Sequence, residues 1–240
     1  MMNYDTQHIK RLAVIVTGIL LLSHVLATIF RYSKMPEWAT YFQSAIFFLL
    51  LLYLLLWIIF KSRMLVHYRY TKIVILFIFI SRGLIAVVNE HYQILPNLND
   101  VSYYHHLGID YSRDLSIQGG GIGASAFGNY FIGMIYFLLG ASPVLISLIN
   151  AFLYSITVLI IIMICKKLQF YNYCVVAFSA AILPSSFLYI PVVLRESLFL
   201  MFSVLLFYRL VVIYSQSKGA YYEHGINFDD KAAFQANQFL

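Results

Sequence analysis

Apolar residues fill this chain in long unbroken blocks, and nowhere does the pattern alternate as a strand would. Four blocks, about Leu12–Phe30, Trp38–Phe60, Ser142–Cys165 and Val192–Tyr214, approach the roughly 20 apolar residues a helix needs to cross a hydrocarbon core. Two more are shorter or interrupted. Ile73–Val88 carries Ser81-Arg82-Gly83 within it and can begin several residues earlier, while Tyr171–Ile190 is broken by Pro184, which ends or kinks a helix. The pattern predicts an all-α, polytopic transmembrane bundle of about six spans.

Composition agrees and excludes a soluble domain. Of 240 residues, 62% are hydrophobic and 11% charged, against roughly 45–50% and about 25% in ordinary soluble proteins. The net charge of +6 does not form a nucleic-acid patch, because the basic residues cluster at the ends of the apolar blocks. Lys10 and Arg11 before the first block resemble a signal-peptide start. That block is too long for such a segment and lacks a small-x-small cleavage site, so an uncleaved first span is expected.

With six spans, one set of alternate loops holds Lys10, Arg11, Lys61, Arg63, Arg69, Lys72, Lys166, Lys167 and Lys218, and the other only Arg31, Lys34, Arg113 and Arg195. The positive-inside rule places the first set, with both termini, in the cytosol of a cell bounded by a plasma or inner membrane. Cys165 and Cys174 fall near that side and are expected as free thiols. The loop of about 89–127 then faces away from the cytosol, and it is acidic: Glu90, Asp100, Asp110 and Asp114 against Arg113.

That loop contains LPNLNDVSYYHHLGID, starting at Leu95. Asn99 suits an N-cap, Asp100 the first helical position, and Gly108 a left-handed stop, which predicts a surface helix of about two turns. Asp100, Tyr103, Tyr104 and Leu107 share one face by spacing. The helix dipole favours an ionised Asp100, able to accept a hydroxyl proton, although acids also favour first turns for stability alone. His105 and His106 point about 100° apart on a helix, so they do not chelate one ion together and are read as interfacial. Asp110 and Asp114, at i, i+4 spacing, can join Asp100 around a divalent cation. GGGIGASAFG, from Gly119, fits the dinucleotide-binding glycine pattern only without its strand and is read as a flexible loop over a substrate.

Arg82 sits inside the third block, about 9 Å short of its outer end by helical rise. A cation there is costly unless it snorkels, pairs or faces a wet cavity. Arg195 and Glu196 open the last block on the same side, Arg195 serving equally as an interfacial anchor. A carboxylate and two guanidinium groups at one membrane level suit the handling of a lipid-linked phosphate.

In KIVILFIFISRGLIAVV, NDVSYYHHLG, NYFIGMIYFLLGASPVLISLINAFLYSITVLIIIMICKKL and AAILPSSFLYIPVVLRESLFLMF, the chain resembles the GT-C superfamily of membrane glycosyltransferases. That group contains the protein O-mannosyltransferases and the transferase that adds aminoarabinose to lipid A. The resemblance covers 72–214, leaving two extra helices in 1–71 and a polar tail, read as disordered, in 215–240.

It implies inverting transfer of a sugar from a polyprenyl-phosphate donor to an acceptor hydroxyl. Asp100 takes the position of the catalytic base and Arg82 and Arg195 that of donor-phosphate ligands. Tyr103, Tyr104 and Glu196 are substrate-binding candidates. The family often has an acidic pair where this chain has Asn99-Asp100, so the resemblance fixes no metal.

Family members usually have more spans, which leaves a truncated product, a compact variant, or a subunit that completes its site with a membrane partner. The rival classes are a non-catalytic subunit or lipid-phosphate binder of envelope polysaccharide assembly, and an enzyme using a pyrophosphate-linked oligosaccharide. A proton-coupled transporter is disfavoured, since no acid lies deep in a span.

Overall fold

The computed structural model describes residues 14, 16–25, 28–29, 36–61, 69–95, 99–115, 126–170, 172–183 and 196–223, without the side chains of residues 37, 69, 91, 99, 100, 173 and 216–223. These residues form helices and no strand, as the apolar blocks predict. In chain order the helices are α1 (Val16–Val25), α2 (Glu37–Lys61), α3 (Arg69–Tyr92) and α4 (Asn99–Asp114). A π-helical segment (Phe127–Ile132) then runs into α5 (Gly133–Leu139), followed by α6 (Pro143–Lys167), α7 (Tyr173–Ile182) and α8 (Glu196–Glu223). Among them four are long and apolar enough to cross a membrane: Trp38–Lys61, Tyr70–Glu90, Pro143–Lys167 and Glu196–Ser215. The protein is an all-α membrane bundle.

Helix α6 is the axis. Pro143 occupies its first turn, where a missing N–H costs nothing, and Lys166 and Lys167 complement the negative end of its dipole. It packs against α2, α3, α7 and α8, and 61% of its most apolar stretch is covered, against 11% for α8. Phe79 of α3 joins the layers: its ring stacks on Phe48 of α2 at 5.2 Å and meets Phe152 of α6 edge-on at 6.4 Å. Around them Leu55, Ile59, Ile75, Ile78, Leu145 and Leu148 are sealed from solvent. A β-carbon added to Gly83 would lie 2.7 Å from the Phe48 ring, so the glycine that interrupts the third apolar block lets two helices close together.

Two boundaries differ from those the sequence suggests, and both matter below. Helix α3 runs on through Asn89, Glu90 and His91 to Tyr92, which sets Arg82 deeper. Helix α4 does not stop at Gly108 but continues to Asp114, and Leu115 takes the left-handed stop with φ 53° while its N–H bonds the Tyr111 carbonyl at 2.8 Å. Gly108 serves packing instead: a β-carbon there would stand 2.6 Å from Ile132 Cγ2. The GGGIGASAFG loop lies outside the described residues up to 125. After it the chain forms a helical unit, Phe127–Leu139, that docks α4 at the end of the bundle away from Lys61, Lys166 and Lys167. Helix α8 also outlasts its apolar stretch, reaching Glu223 within the segment read as a polar tail.

Candidate functional site

Residue 184 in the sequence is a proline. It has no N–H to give the Ala180 carbonyl four residues earlier, and α7 ends at Ile182, so its last carbonyls need other donors. Two side chains supply them. The Tyr154 hydroxyl of α6 donates to the Ala180 carbonyl at 2.9 Å, and Arg82 Nη2 of α3 donates to the Ala181 carbonyl at 2.7 Å.

Arg82 is 0% exposed, Nη1 donates to Ser81 Oγ at 3.0 Å, and the guanidinium lies 5.6 Å from the centre of the Tyr154 ring. It is thirteen residues beyond Arg69 and ten short of Tyr92, about 20 Å and 15 Å by helical rise. Helix α7 therefore ends beside the middle of α3, and a cation sits on the negative end of its dipole. The sequence anticipates the need for a partner but not its identity, a backbone carbonyl. A phosphate at Arg82 would have to displace these bonds.

Asp100 opens α4 in its first turn, so the carboxylate-bearing position is at the helix end that favours a negative charge. Of the residues sharing its face by spacing, Tyr104 and Leu107 are buried, Tyr104 edge-on to Phe127 at 5.2 Å. Tyr103 is 43% exposed. Glu196 is exposed in the first turn of α8, and Arg195 lies outside the described residues. Among the described side chains no three of His, Cys, Asp and Glu converge as metal ligands.

Two polar groupings escaped the sequence reading. His105, on α4, places Nδ1 2.8 Å from the hydroxyl of Tyr136 on α5, with the two rings edge-to-face at 5.5 Å. Tyr136 is sealed from solvent, and burial, helped by the nearby Glu90 charge, lifts its phenol well above the usual value. Burial and the neighbouring His106 together push His105 down to about 4. At physiological pH the pair is a neutral imidazole beside a protonated phenol. The second grouping surrounds the elbow between α5 and α6. Gln43 of α2 donates to the Leu139 carbonyl, and the buried oxygens of Gln43, Ser44 and Ser142 have no protein partner among the described residues. Neither signal is visible as a motif, since each joins residues from different helices.

No family model, curated protein or solved structure matches the chain.

Proposed function

We propose that this protein transfers a sugar, with inversion, from a polyprenyl-phosphate donor to an acceptor hydroxyl at the membrane face away from the cytosol. The observation that supports this is the placement of α4. It is a polar helix with Asp100 in its first turn, docked against the π-helical segment and α5 immediately after the span that carries Arg82.

An ionised Asp100 takes the acceptor's proton as the acceptor oxygen attacks the anomeric carbon, and the bond from that carbon to the phosphate oxygen breaks. The departing lipid phosphate gains charge, which cations placed beforehand stabilise. Arg195 is the first candidate for that task. Arg82 joins it where the phosphate competes for the guanidinium now bonded to Ser81 and Ala181. Tyr103 offers an exposed ring to the sugar, whereas buried Tyr104 anchors α4, and Glu196 stands at the α8 end of the same face. Asp110 and Asp114 remain available to a divalent cation alongside Asp100. In this reading the lysine-rich ends and both termini are cytosolic.

Membranes containing the chain, incubated with radiolabelled polyprenyl-phosphate sugars, should move label into lipid, glycan or protein, and Asp100→Asn should stop this without reducing insertion. Transfer that survives Asp100→Asn unchanged refutes the assignment of the base.

One observation favours a second reading, a non-catalytic subunit of envelope polysaccharide assembly: the buried guanidinium of Arg82 is engaged in holding a helix end. Under that reading no label moves unless a membrane partner is added.

A further inference from the structure

His105 is anchored by one ring nitrogen and open at the other. The Tyr136 hydroxyl is buried, and its one hydrogen bond among the described residues is to Nδ1. A buried phenol that keeps its proton gives it to the available acceptor, so Nδ1 accepts and the imidazole hydrogen resides on Nε2. No group among the described residues bonds Nε2, and that atom is not among the buried unpaired ones. The ring itself is only partly buried. A histidine whose inner nitrogen is fixed by a sealed partner, and whose outer N–H is offered to the surroundings, has the arrangement that orients working histidines elsewhere.

Charge decides what such a donor takes. Glu90 lies close enough for Tyr136 to feel its charge, and α4 itself carries Asp100, Asp110 and Asp114 against Arg113. A neutral donor in acidic surroundings disfavours an anion and suits an uncharged hydroxyl. From this geometry we propose that His105 is a substrate-binding residue whose Nε2–H, set by Tyr136, donates to a sugar hydroxyl at the α4 end of the bundle. The inference builds on the transfer reading by naming the group that holds the sugar rather than the phosphate.

The full-length protein in lipid nanodiscs should be titrated with radiolabelled polyprenyl-phosphate mannose, polyprenyl-phosphate glucose and bare polyprenyl phosphate. At least one sugar-bearing lipid should bind about tenfold more tightly than the bare one, a difference of about 1.4 kcal/mol. His105→Gln carries an amide N–H near the Nε2 position and should keep most of that preference, whereas His105→Asn carries it near Nδ1 and should lose it. Tyr136→Phe should weaken it. Nitrogen-15 NMR of the wild-type histidine should find the proton on Nε2.

Equal binding by His105→Asn and wild type, no preference for either sugar-bearing lipid, or a proton on Nδ1 would each overturn the proposal. Sugar-dependent binding without any transfer of label would count against the transferase reading and leave this role of His105 standing.

Discussion

Replacing Arg82 with methionine separates two roles that a buried guanidinium can have. Methionine keeps most of the volume and removes the charge. It forfeits about 2–3 kcal/mol for the hydrogen bonds to the Ala181 carbonyl and Ser81 Oγ taken together and about 2 kcal/mol for the contact with the Tyr154 ring. It recovers about 3 kcal/mol, the cost of a cation at the centre of a membrane helix. The expected net loss is about 1–2 kcal/mol.

Unfolding by increasing SDS in mild-detergent micelles, followed by circular dichroism, would read that loss as an earlier midpoint. Tyr154→Phe removes only the cap on Ala180 and keeps the ring, so it should cost about 1 kcal/mol. Combined in a double-mutant cycle, the two substitutions should cost less together than their sum, because a frayed α7 end has nothing left for the second to release. An Arg82→Met protein as stable as wild type within about 0.5 kcal/mol would refute the capping account. If Arg82 binds the donor phosphate instead, the same substitution removes transfer while the midpoint stays in place.

Three further outcomes follow from the packing and the protonation states. Gly108→Ala pushes a methyl to within 2.6 Å of Ile132 Cγ2; it should destabilise the α4 contact by about 1–3 kcal/mol, seen as faster proteolysis around residue 115. Leu115→Gly relieves a left-handed residue at φ 53° and should raise stability by up to about 1 kcal/mol in the same SDS titration. His105 is held down to about 4 in the folded protein, so the unfolded chain binds its proton first as pH falls. Stability should therefore be level above about pH 6.5, decline from there to about pH 4, and level again below; an unchanged slope in His105→Gln over that window would show that another group is responsible.

The spans were legible because a block of apolar residues needs no partner to be recognised. Trp38–Phe60 and Ser142–Cys165 match α2 and α6 to within a few residues, and Pro184 marks the end of α7. What the sequence obscured depends on contacts. Gly108 looked like a stop because glycine favours the left-handed conformation, yet here its missing side chain makes room for Ile132 while a leucine takes the strained turn. Phe127–Leu139 gives no clear helical signal in the sequence because Gly128, Gly133 and the preceding glycine run interrupt it, yet the segment winds as a π-helix over Phe127–Ile132 and continues as α5. The rings of His105 and His106 stand 6.0 Å apart and tilted. The tyrosine that engages His105 lies 31 residues away and gave no periodic signal. For Arg82 the sequence does hold a clue: a proline four residues past Ala180 leaves that carbonyl without a backbone donor, and a mid-span arginine and tyrosine can serve such a helix end.

The bare outer surface of α8 has a consequence for how freely its sequence can vary. Among the described residues its anchorage is a narrow seam in which Val211, Val204 and Tyr208 meet Ile156, Ile160 and Ile164 of α6, while Phe199, Phe202, Leu206 and Ile213 are exposed. Hydrocarbon rewards oiliness and ignores shape, so those outward positions could be shuffled among leucine, valine, isoleucine and phenylalanine with little loss. The seam residues could not, because there a neighbouring side chain is fitted against each of them.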